Sequence, residues 1–94
     1  SAVLVANQGE GLLTKYHAVA SRLRSRGIAA EVFPEARKLL AQYGYAEKKG
    51  IPCALLLDEA SLAEGKYPLR DLATRATTTF ASFEELAGFL GSSH

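Results

Sequence analysis

Two runs of consecutive apolar residues, 2–6 and 51–57, stand out in the pattern of hydrophobic and polar positions along the chain. A short apolar run bounded by turn residues is typical of a strand that is covered on both faces. Since such a strand belongs in the middle of a sheet, we expect residues 51–57 to form the central strand. Alternate side chains of a strand point to opposite faces, which places Leu55 and Leu57 on one face and Ala54 and Leu56 on the other.

Between these runs the apolar positions recur at the spacing of an α-helix, which predicts two helices, residues 12–26 and 35–49. Gly27 and Gly50 follow them, as glycines commonly follow a helix end. Residues 28–33 are typical of a strand, so the order is β-α-β-α-β, and right-handed crossovers make the three strands parallel, with the first in the middle. The apolar helical positions are Leu12, Tyr16, Val19 and Leu23 in the first helix and Ala36, Leu39, Leu40, Tyr43 and Ala46 in the second.

The second half of the chain follows another pattern. Residues 58–64 indicate a short helical turn, and the β-prone segments 66–72 and 77–81 are close enough to form an antiparallel hairpin. Ser82 and Glu85 have the spacing of a capping box, which predicts a last helix. Its inward residues would be Phe83, Leu86, Phe89 and Leu90, Gly91 would end it, and residues 92–94 would form a frayed tail.

Composition narrows the class of protein. The chain has 94 residues, 48% hydrophobic and 22% charged, as expected of one ordinary globular domain. A formal net charge of +1 gives no bulk argument for nucleic acid or membrane. Residues 22–49 nevertheless hold seven basic side chains against three acidic ones. Such asymmetry marks either an interaction face or only the solvated side of two helices.

The chain has a single cysteine, so no internal disulfide can form. Cys53 lies inside the central apolar run and is expected to be a small buried core residue rather than a reactive thiol. The sequence contains no stretch that is apolar and long enough to span a membrane, and no signal peptide opens it. We therefore expect a cytoplasmic protein without a membrane partner. Because Ser1 is not Met, the chain is expected to be either processed or cut out of a longer protein, and it holds one domain over residues 1–94.

No catalytic arrangement is evident. The loop around Gly9 and Gly11 lacks the third glycine of a dinucleotide fingerprint and the Gly-Lys-Ser/Thr of a phosphate loop. It is therefore interpreted as a loop that needs positive φ rather than as a phosphate site. His17 and His94 are expected to be exposed, and two isolated histidines make a poor metal site. We expect no cofactor, no metal and no catalysis by this chain alone.

A binding crevice can still be placed. In an open α/β sheet, ligands bind at the carboxyl ends of the strands, where the strand order reverses, which here lies between the first and third strands. The residues expected to rim this crevice are Asn7, Gln8, Asp58 and Glu59, with Arg37 and Lys38 nearby at the start of the second helix. Asp58 and Glu59 have a second interpretation, as a cap on the following helical turn.

Several segments together resemble a known family. They are Arg37-Lys38-Leu39, Gln42, Tyr45-Ala46-Glu47-Lys48-Lys49-Gly50-Ile51-Pro52, Ala54-Leu55-Leu56-Leu57, Gly65, Leu69-Arg70-Asp71-Leu72 and Glu84-Glu85-Leu86. This pattern resembles the C-terminal anticodon-binding domain of class II aminoacyl-tRNA synthetases, above all the histidyl type. The resemblance covers nearly the whole chain. It implies a three-layer α/β/α fold with a five-stranded mixed sheet flanked by three helices, in agreement with the element order above.

The resemblance also implies partners: the anticodon stem-loop of a tRNA, a parent catalytic domain and a second copy in a homodimer. Arg70 occupies a position that resembles one used by related synthetases to contact anticodon bases. Arg70, Arg37 and Lys38 are therefore candidates for phosphate or base contacts. Asn7, Gln8 and Glu59 are candidates for hydrogen bonds to the edges of splayed bases. The part of a histidine–tRNA ligase that carries out catalysis would lie elsewhere in such a protein.

Some positions depart from the family pattern. Leu40, Ala41 and Gly44 stand where the second helix of the family usually has further basic residues, Ser61 replaces an acid, and Arg75-Ala76-Thr77 replaces a Gly-Glu-Gln segment. These departures keep a second hypothesis open, a synthetase paralogue with a regulatory or assembly role that does not bind tRNA. The regulatory subunit of ATP phosphoribosyltransferase is such a relative. A third possibility, a free-standing α/β signalling or nucleotide-binding domain, rests only on the β-α-β opening.

Overall fold

The structure, a computed structural model, describes residues 2–92, apart from the side chains of Glu10 and Ser92. His94 and most of the predicted tail lie outside the described residues. The elements in chain order are β1 (Val3–Val5), a 3-10 turn (Glu10–Leu12), α1 (Leu13–Ser25), β2 (Ala30–Val32), α2 (Leu39–Lys49), β3 (Cys53–Leu55), α3 (Glu59–Glu64), β4 (Tyr67–Asp71), β5 (Thr77–Phe80) and α4 (Phe83–Ser92).

The five strands form one mixed sheet in the order β2-β1-β3-β4-β5. β1 pairs in parallel with both β2 and β3, while β4 is antiparallel to β3 and to β5. The prediction of a five-stranded mixed sheet is confirmed, and so is the placement of the first strand between the second and third. β3 is the middle strand of five, as its continuous apolar run predicts.

Helices cover both faces of this sheet, which gives the three-layer α/β/α fold. Val3 and Val5 of β1 belong to a large core that includes Tyr16 of α1 and Leu86 of α4. Leu4, between the two valines, belongs instead to a smaller core on the opposite face. That core also contains Phe33 and Ile51, together with Ala46 of α2.

The helix ends follow from local sequence. Gly50 has φ 72°, a left-handed conformation that glycine adopts without the steric penalty of a Cβ atom, and it ends α2 as predicted. At the start of α3 the Asp58 carboxylate accepts a hydrogen bond from the Ser61 N–H, and the Ser61 hydroxyl accepts one from the Asp58 N–H. This reciprocal pair confirms the interpretation of Asp58 as a cap.

Two predicted helix boundaries are wrong. α2 begins at Leu39 and not at residue 35, because Lys38 has an extended ψ of 141° and its carbonyl accepts the first hydrogen bonds of the helix. α4 continues past Gly91, which lies within it. Three predicted apolar helical positions also face outward, since Ala36 is exposed, Leu40 is 81% exposed and Phe89 is 44% exposed.

Candidate nucleic-acid interface

Asn7, placed on the crevice rim by the sequence, is instead fully buried. Its N–H donates to Gln42 Oε1 (2.7 Å), and Gln42 Nε2 donates back to the Asn7 carbonyl (2.8 Å). Its side-chain Nδ2 donates to the carbonyl of Phe33 (3.1 Å), and its Oδ1 accepts from the N–H of Gly9 (3.1 Å). The prediction that Asn7 lines the rim is therefore wrong, because its backbone is bonded to Gln42 of α2 and its side-chain amide is bonded to the backbone of Phe33 and Gly9.

Gln8, Asp58 and Glu59 do lie together at the carboxyl ends of β1 and β3, where they line an open cavity of 500 Å³. Gln8 Nε2 donates to the Leu57 carbonyl (2.9 Å), so part of its hydrogen-bonding capacity is used within the protein. The hydrogen bond from the Ser61 N–H holds the pKa of Asp58 below its ordinary value. With two carboxylates and no lysine or arginine in its lining, this cavity is a poor place for a phosphate.

The Tyr16 side chain connects the two chain segments beneath this cavity, those that follow β1 and β3. Its hydroxyl donates to the Leu57 carbonyl (3.1 Å) and accepts from the Gln8 N–H (3.2 Å). Desolvation of the buried ring raises the pKa of Tyr16, which keeps the hydroxyl neutral and able to donate. The carboxyl ends of β1 and β3 are therefore fixed by internal hydrogen bonds.

Arg37 and Lys38 lie in the extended segment before α2 rather than in its first turn. Both are exposed, and Arg37 Nη2 pairs with Glu35 Oε2 at 2.7 Å. The Arg37 carbonyl accepts from Gln42 Nε2 (2.8 Å), so the buried glutamine also fixes this segment. Because both side chains of this ion pair are exposed to solvent, the pair is weak. A phosphate can therefore compete with Glu35 for the Arg37 guanidinium.

Arg70 lies elsewhere, in β4, next to its last residue, Asp71. It is paired in register with Ala54 and Thr77, and Ala54 is paired with Leu4. Since the side chains of directly paired residues share a face, Arg70 is on the same face as Leu4 and α2. Its guanidinium carbon lies 5.1 Å from the ring centroid of Tyr43, within the range of a cation–π contact.

A groove of 280 Å³ opens where Arg70 meets α2. One wall is a stripe of α2 at positions i, i+3, i+4 and i+7, which share a face of a helix, and the other is β4 with the turn that follows it. The stripe consists of Leu40, Tyr43, Gly44 and Glu47, and the opposite wall of Arg70, Leu72 and Arg75.

The backbone of the opposite wall is unusual at Arg75. Its φ is 64°, and in residues 2–92 it is the only non-glycine residue with a positive φ. The turn is held by the Arg75 N–H, which donates to the Asp71 carbonyl (2.8 Å). The Asp71 carboxylate in turn accepts from the N–H groups of Ala73 and Thr74. A left-handed conformation in a residue with a Cβ atom is uncommon and is often associated with function.

Sequence reasoning found Arg70 but missed the residues around it. Leu40 and Tyr43 are apolar or aromatic residues at helical spacing, a pattern that predicts core positions. Glu47 and Arg75 carry no local signal, because the groove unites segments that are more than twenty positions apart in the chain. The only available clue was the departure from the family pattern at Leu40, Gly44 and Arg75.

Four other predicted residues can be placed. His17 is exposed on α1, as expected. Cys53 is only half-buried rather than a full core residue. The pKa of its thiol is raised, mainly by desolvation and to a smaller extent by the negative charge of the nearby Asp71 carboxylate. Gly9 and Gly11 are not among the positive-φ glycines of residues 2–92, so the interpretation of this loop as one that needs positive φ is wrong.

Within residues 2–92 there is no group of three or more His, Cys, Asp or Glu side chains able to hold a metal ion. No helix in the same range has the length and hydropathy needed to cross a bilayer.

Comparison with known proteins agrees with this fold. The family model described as "Anticodon binding domain" matches residues 2–92. The chain therefore belongs to the anticodon-binding domain family. It is 41% identical to the histidine–tRNA ligase of Wolinella succinogenes over 70 residues, which are 74% of this chain and 16% of that protein. It is 34% identical to the ligase of Bacteroides fragilis over 88 residues, 94% of this chain and 19% of that protein.

A solved structure gives the same result in three dimensions. The crystal structure of histidyl-tRNA synthetase from Nostoc sp. PCC 7120 superposes with a TM-score of 0.90 and 26% sequence identity. The match covers 97% of this chain and 22% of that one. The chain thus spans about a fifth or less of the proteins it resembles, and it corresponds to their anticodon-binding domain.

Proposed function

We propose that this domain binds the anticodon stem-loop of a tRNA as one part of a histidine–tRNA ligase. The observation that carries the proposal is the family match over residues 2–92 together with relatives that bear the ligase name. The structure adds a cationic residue, Arg70, whose guanidinium lies near the ring of Tyr43 at the groove between β4 and α2. Splayed anticodon bases are read by such combinations of stacking and edge contacts.

Different residues would have different roles in this binding. Arg37 and Lys38 are exposed and would contact phosphates, which position an RNA without reading its sequence. Arg70 would contact a base. Gln8 and Glu59, which line the cavity at the strand ends, remain candidates for base-edge hydrogen bonds. Asn7 is removed from this set because its side chain is buried and its amide is engaged within the protein.

A titration with tRNA anticodon stem-loops tests the proposal. Binding should weaken with salt, since displaced counterions are released. Replacing both Arg37 and Lys38 with Ala should weaken binding to all loop sequences alike and lower the salt slope by about 2. Arg70→Ala should additionally reduce discrimination among loops. Lys15→Ala, which removes an exposed charge of α1 on the opposite face, is the matched control and should change little.

The result that contradicts the proposal is equally clear. If no stem-loop binds better than a scrambled hairpin at low ionic strength, the domain does not read an anticodon. The regulatory paralogue would then be the better hypothesis.

We further propose that the domain, one unit over residues 1–94, acts in the cytoplasm as part of a longer chain that has a catalytic domain and forms a homodimer. Support comes from the relatives, of which this chain covers only 16% to 19%. In that setting the domain itself needs no cofactor and performs no catalysis. The mass of the full-length protein by light scattering tests the dimer. ATP–pyrophosphate exchange by the isolated domain above background would contradict a purely binding role.

A further inference from the structure

The two edge strands of the sheet, β2 and β5, differ in how well they are protected from a further strand. β5 pairs with β4 alone, so its other side is an open edge. We infer that the β5 edges of two copies of this chain pair with each other and join the two sheets into one. This contact is independent of the proposed RNA binding. It also differs from the homodimer proposed for the full-length protein, because it lies within this domain.

The β2 edge is protected by a charge and by an occupied carbonyl, two ways in which sheets avoid edge-to-edge pairing. The charge is that of Glu31, in the middle of the strand. The carbonyl of Ala29 faces β1, where it accepts from the Ala2 N–H, so the carbonyl of Ala30 points to the open side. Arg24 covers it, since Nε (3.0 Å) and Nη2 (2.8 Å) both donate to this oxygen.

The β5 edge has neither form of protection. Its sequence, Thr-Thr-Thr-Phe, contains no charge and no proline, and its threonines are exposed. The Asp71 N–H donates to the Ala76 carbonyl (2.8 Å), so the even-numbered residues of this segment bond to β4. The odd-numbered residues, Thr77 and Thr79, therefore direct their N–H and C=O groups to the open side. Each of these two threonines presents one donor and one acceptor to a further strand.

A single two-fold register satisfies all of these groups. Residues that lie directly opposite each other share a face of the sheet, and in an isologous contact the same residues are used by both copies. With Thr78 opposite itself on the two-fold axis, Thr77 of each copy lies opposite Thr79 of the other. Both pairs then exchange their N–H and C=O hydrogen bonds. Registers centred on Thr77 or on Thr79 form only one such pair.

The ends of the strand carry complementary charges in this register, which places Arg75 of one copy opposite Ala81 of the other. The Ala81 N–H donates to Glu85 Oε2 (3.0 Å), which holds a carboxylate beside the end of the open edge. Arg75 is exposed, and within residues 2–92 it forms no ion pair on its own chain. By symmetry, a guanidinium and a carboxylate meet at both ends of the paired strands.

An apolar patch beside the edge contributes as well. Phe80 pairs with Tyr67 of the larger core, so its side chain lies on that face of the sheet. Its ring centroid is 5.3 Å from that of Phe89, which is 44% exposed, and both rings line a cavity of 230 Å³. The register brings Ala76 of the second copy opposite Phe80, where it covers part of this patch. Because β5 has only 4 residues, the interface is small, below about 1,200 Å², and the dimer should be weak and reversible.

Sedimentation velocity of the 94-residue chain at increasing concentration measures the association, and amide hydrogen exchange locates it. The sedimentation coefficient should rise with concentration to that of a dimer and no further, since a two-fold contact is closed. Exchange at Thr77 and Thr79 should become slower as the dimer forms. Exchange at Thr78 and Phe80 should be slow at every concentration, because their N–H groups bond to β4 within one chain.

Substitutions in the strand test the register. Thr79→Pro removes an outward N–H at an edge position that accepts proline, so it should keep the fold and abolish the dimer. Thr78→Lys places like charges opposite each other on the axis and should abolish it too. Thr77→Lys combined with Thr79→Glu places opposite charges across the contact and should retain the dimer, whereas Lys at both positions should abolish it. Thr14→Lys, which adds the same charge on exposed α1, is the matched control and should associate as the wild type does.

The inference is wrong if the chain stays monomeric at every concentration. It is also wrong if the dimer persists in both Thr79→Pro and Thr78→Lys, since the contact would then lie elsewhere. Circular dichroism checks that each variant is folded, and if Thr79→Pro is not, the comparison of the two charged double variants decides. None of these results bears on the anticodon-binding role, because stem-loop titrations use the chain at concentrations at which it is monomeric.

Discussion

Hydrogen bonds between Asn7 and the side chain of Gln42 hold the second helix against the end of the first strand. Both are fully buried, and two hydrogen bonds join the Gln42 amide to the backbone of Asn7. Buried amides stabilise a fold only when they are satisfied, and here a third bond reaches the carbonyl of Arg37. This clamp sets the position of α2, and hence of its Tyr43 beneath Arg70.

A second residue-scale effect is predicted at Asp58. The hydrogen bond from the Ser61 N–H lowers the pKa of this carboxyl below its ordinary value. A carboxyl with a lowered pKa stabilises the folded state above its ordinary pKa, and that contribution is lost as the pH falls through the folded-state pKa. Asp58→Asn should therefore show a smaller loss of urea midpoint than the wild type between about pH 5 and about pH 2, because asparagine still caps but does not titrate.

Glu59→Gln is the control for this experiment, since it leaves both Asp58–Ser61 hydrogen bonds in place. Its pH dependence should follow the wild type more closely than that of Asp58→Asn. Identical curves for Asp58→Asn and the wild type would show that the capping carboxylate is not an acid-sensitive contact of the fold.

At the scale of elements, we predict the largest loss of stability for a truncation in the middle strand, β3. Leu55 is fully buried and belongs to the larger core, between strands on both sides. Leu55→Ala should lower the free energy of unfolding by about 2–5 kcal/mol, the range for a leucine truncated in a core. Urea denaturation followed by circular dichroism measures it.

Truncations of two other, more exposed leucines serve as comparisons for this loss of stability. Leu56, on the opposite face, is only half-buried and should lose less when changed to Ala, and Leu40, at 81% exposure, should lose almost nothing. If Leu40→Ala were as destabilising as Leu55→Ala, the assignment of the α2 stripe to an open groove would be wrong.

The strength of sequence prediction differs between these elements for physical reasons. The continuous apolar runs of β1 and β3 determine burial locally, so these strands could be predicted from the sequence, and right-handed crossovers then gave their order. The start of α2 did not follow, because the conformation of Lys38 depends on Gln42, which satisfies the preceding carbonyl through a tertiary contact. Asn7 was misplaced for the same reason, since its partners lie 26 and 35 residues away.

At the scale of the whole molecule, the candidate interface is a product of topology. Arg70 comes next to α2 only because β4 adds antiparallel to β3, on the side of β3 away from β1. The sequence identified Arg70 through its resemblance to a family, whereas Glu47 and Arg75 became visible only when helix and hairpin met in space. Sequence patterns therefore predicted the layers of this protein far better than the residues of the groove between α2 and β4.

The same topology predicts how the molecule unfolds. Successive residues of β1 alternate between the two cores, Val3 and Val5 in one and Leu4 in the other. Neither core can lose β1 while the other keeps it, so we expect a single cooperative transition, as in most small domains. The calorimetric enthalpy should equal the van't Hoff enthalpy, and far-ultraviolet circular dichroism and tyrosine fluorescence should give coincident urea curves.

Two substitutions, one in each core, extend this test. Phe33→Leu loosens the smaller core under α2, and Leu86→Ala loosens the larger core under α4. In a cooperative domain each lowers the midpoint seen by both probes equally, and the two destabilisations add when combined, because the sites are on opposite faces of the sheet. If Phe33→Leu instead released only the amides of α2 in hydrogen exchange, while those of α1 and α4 kept wild-type protection, the helix that carries the groove would be a separate folding unit.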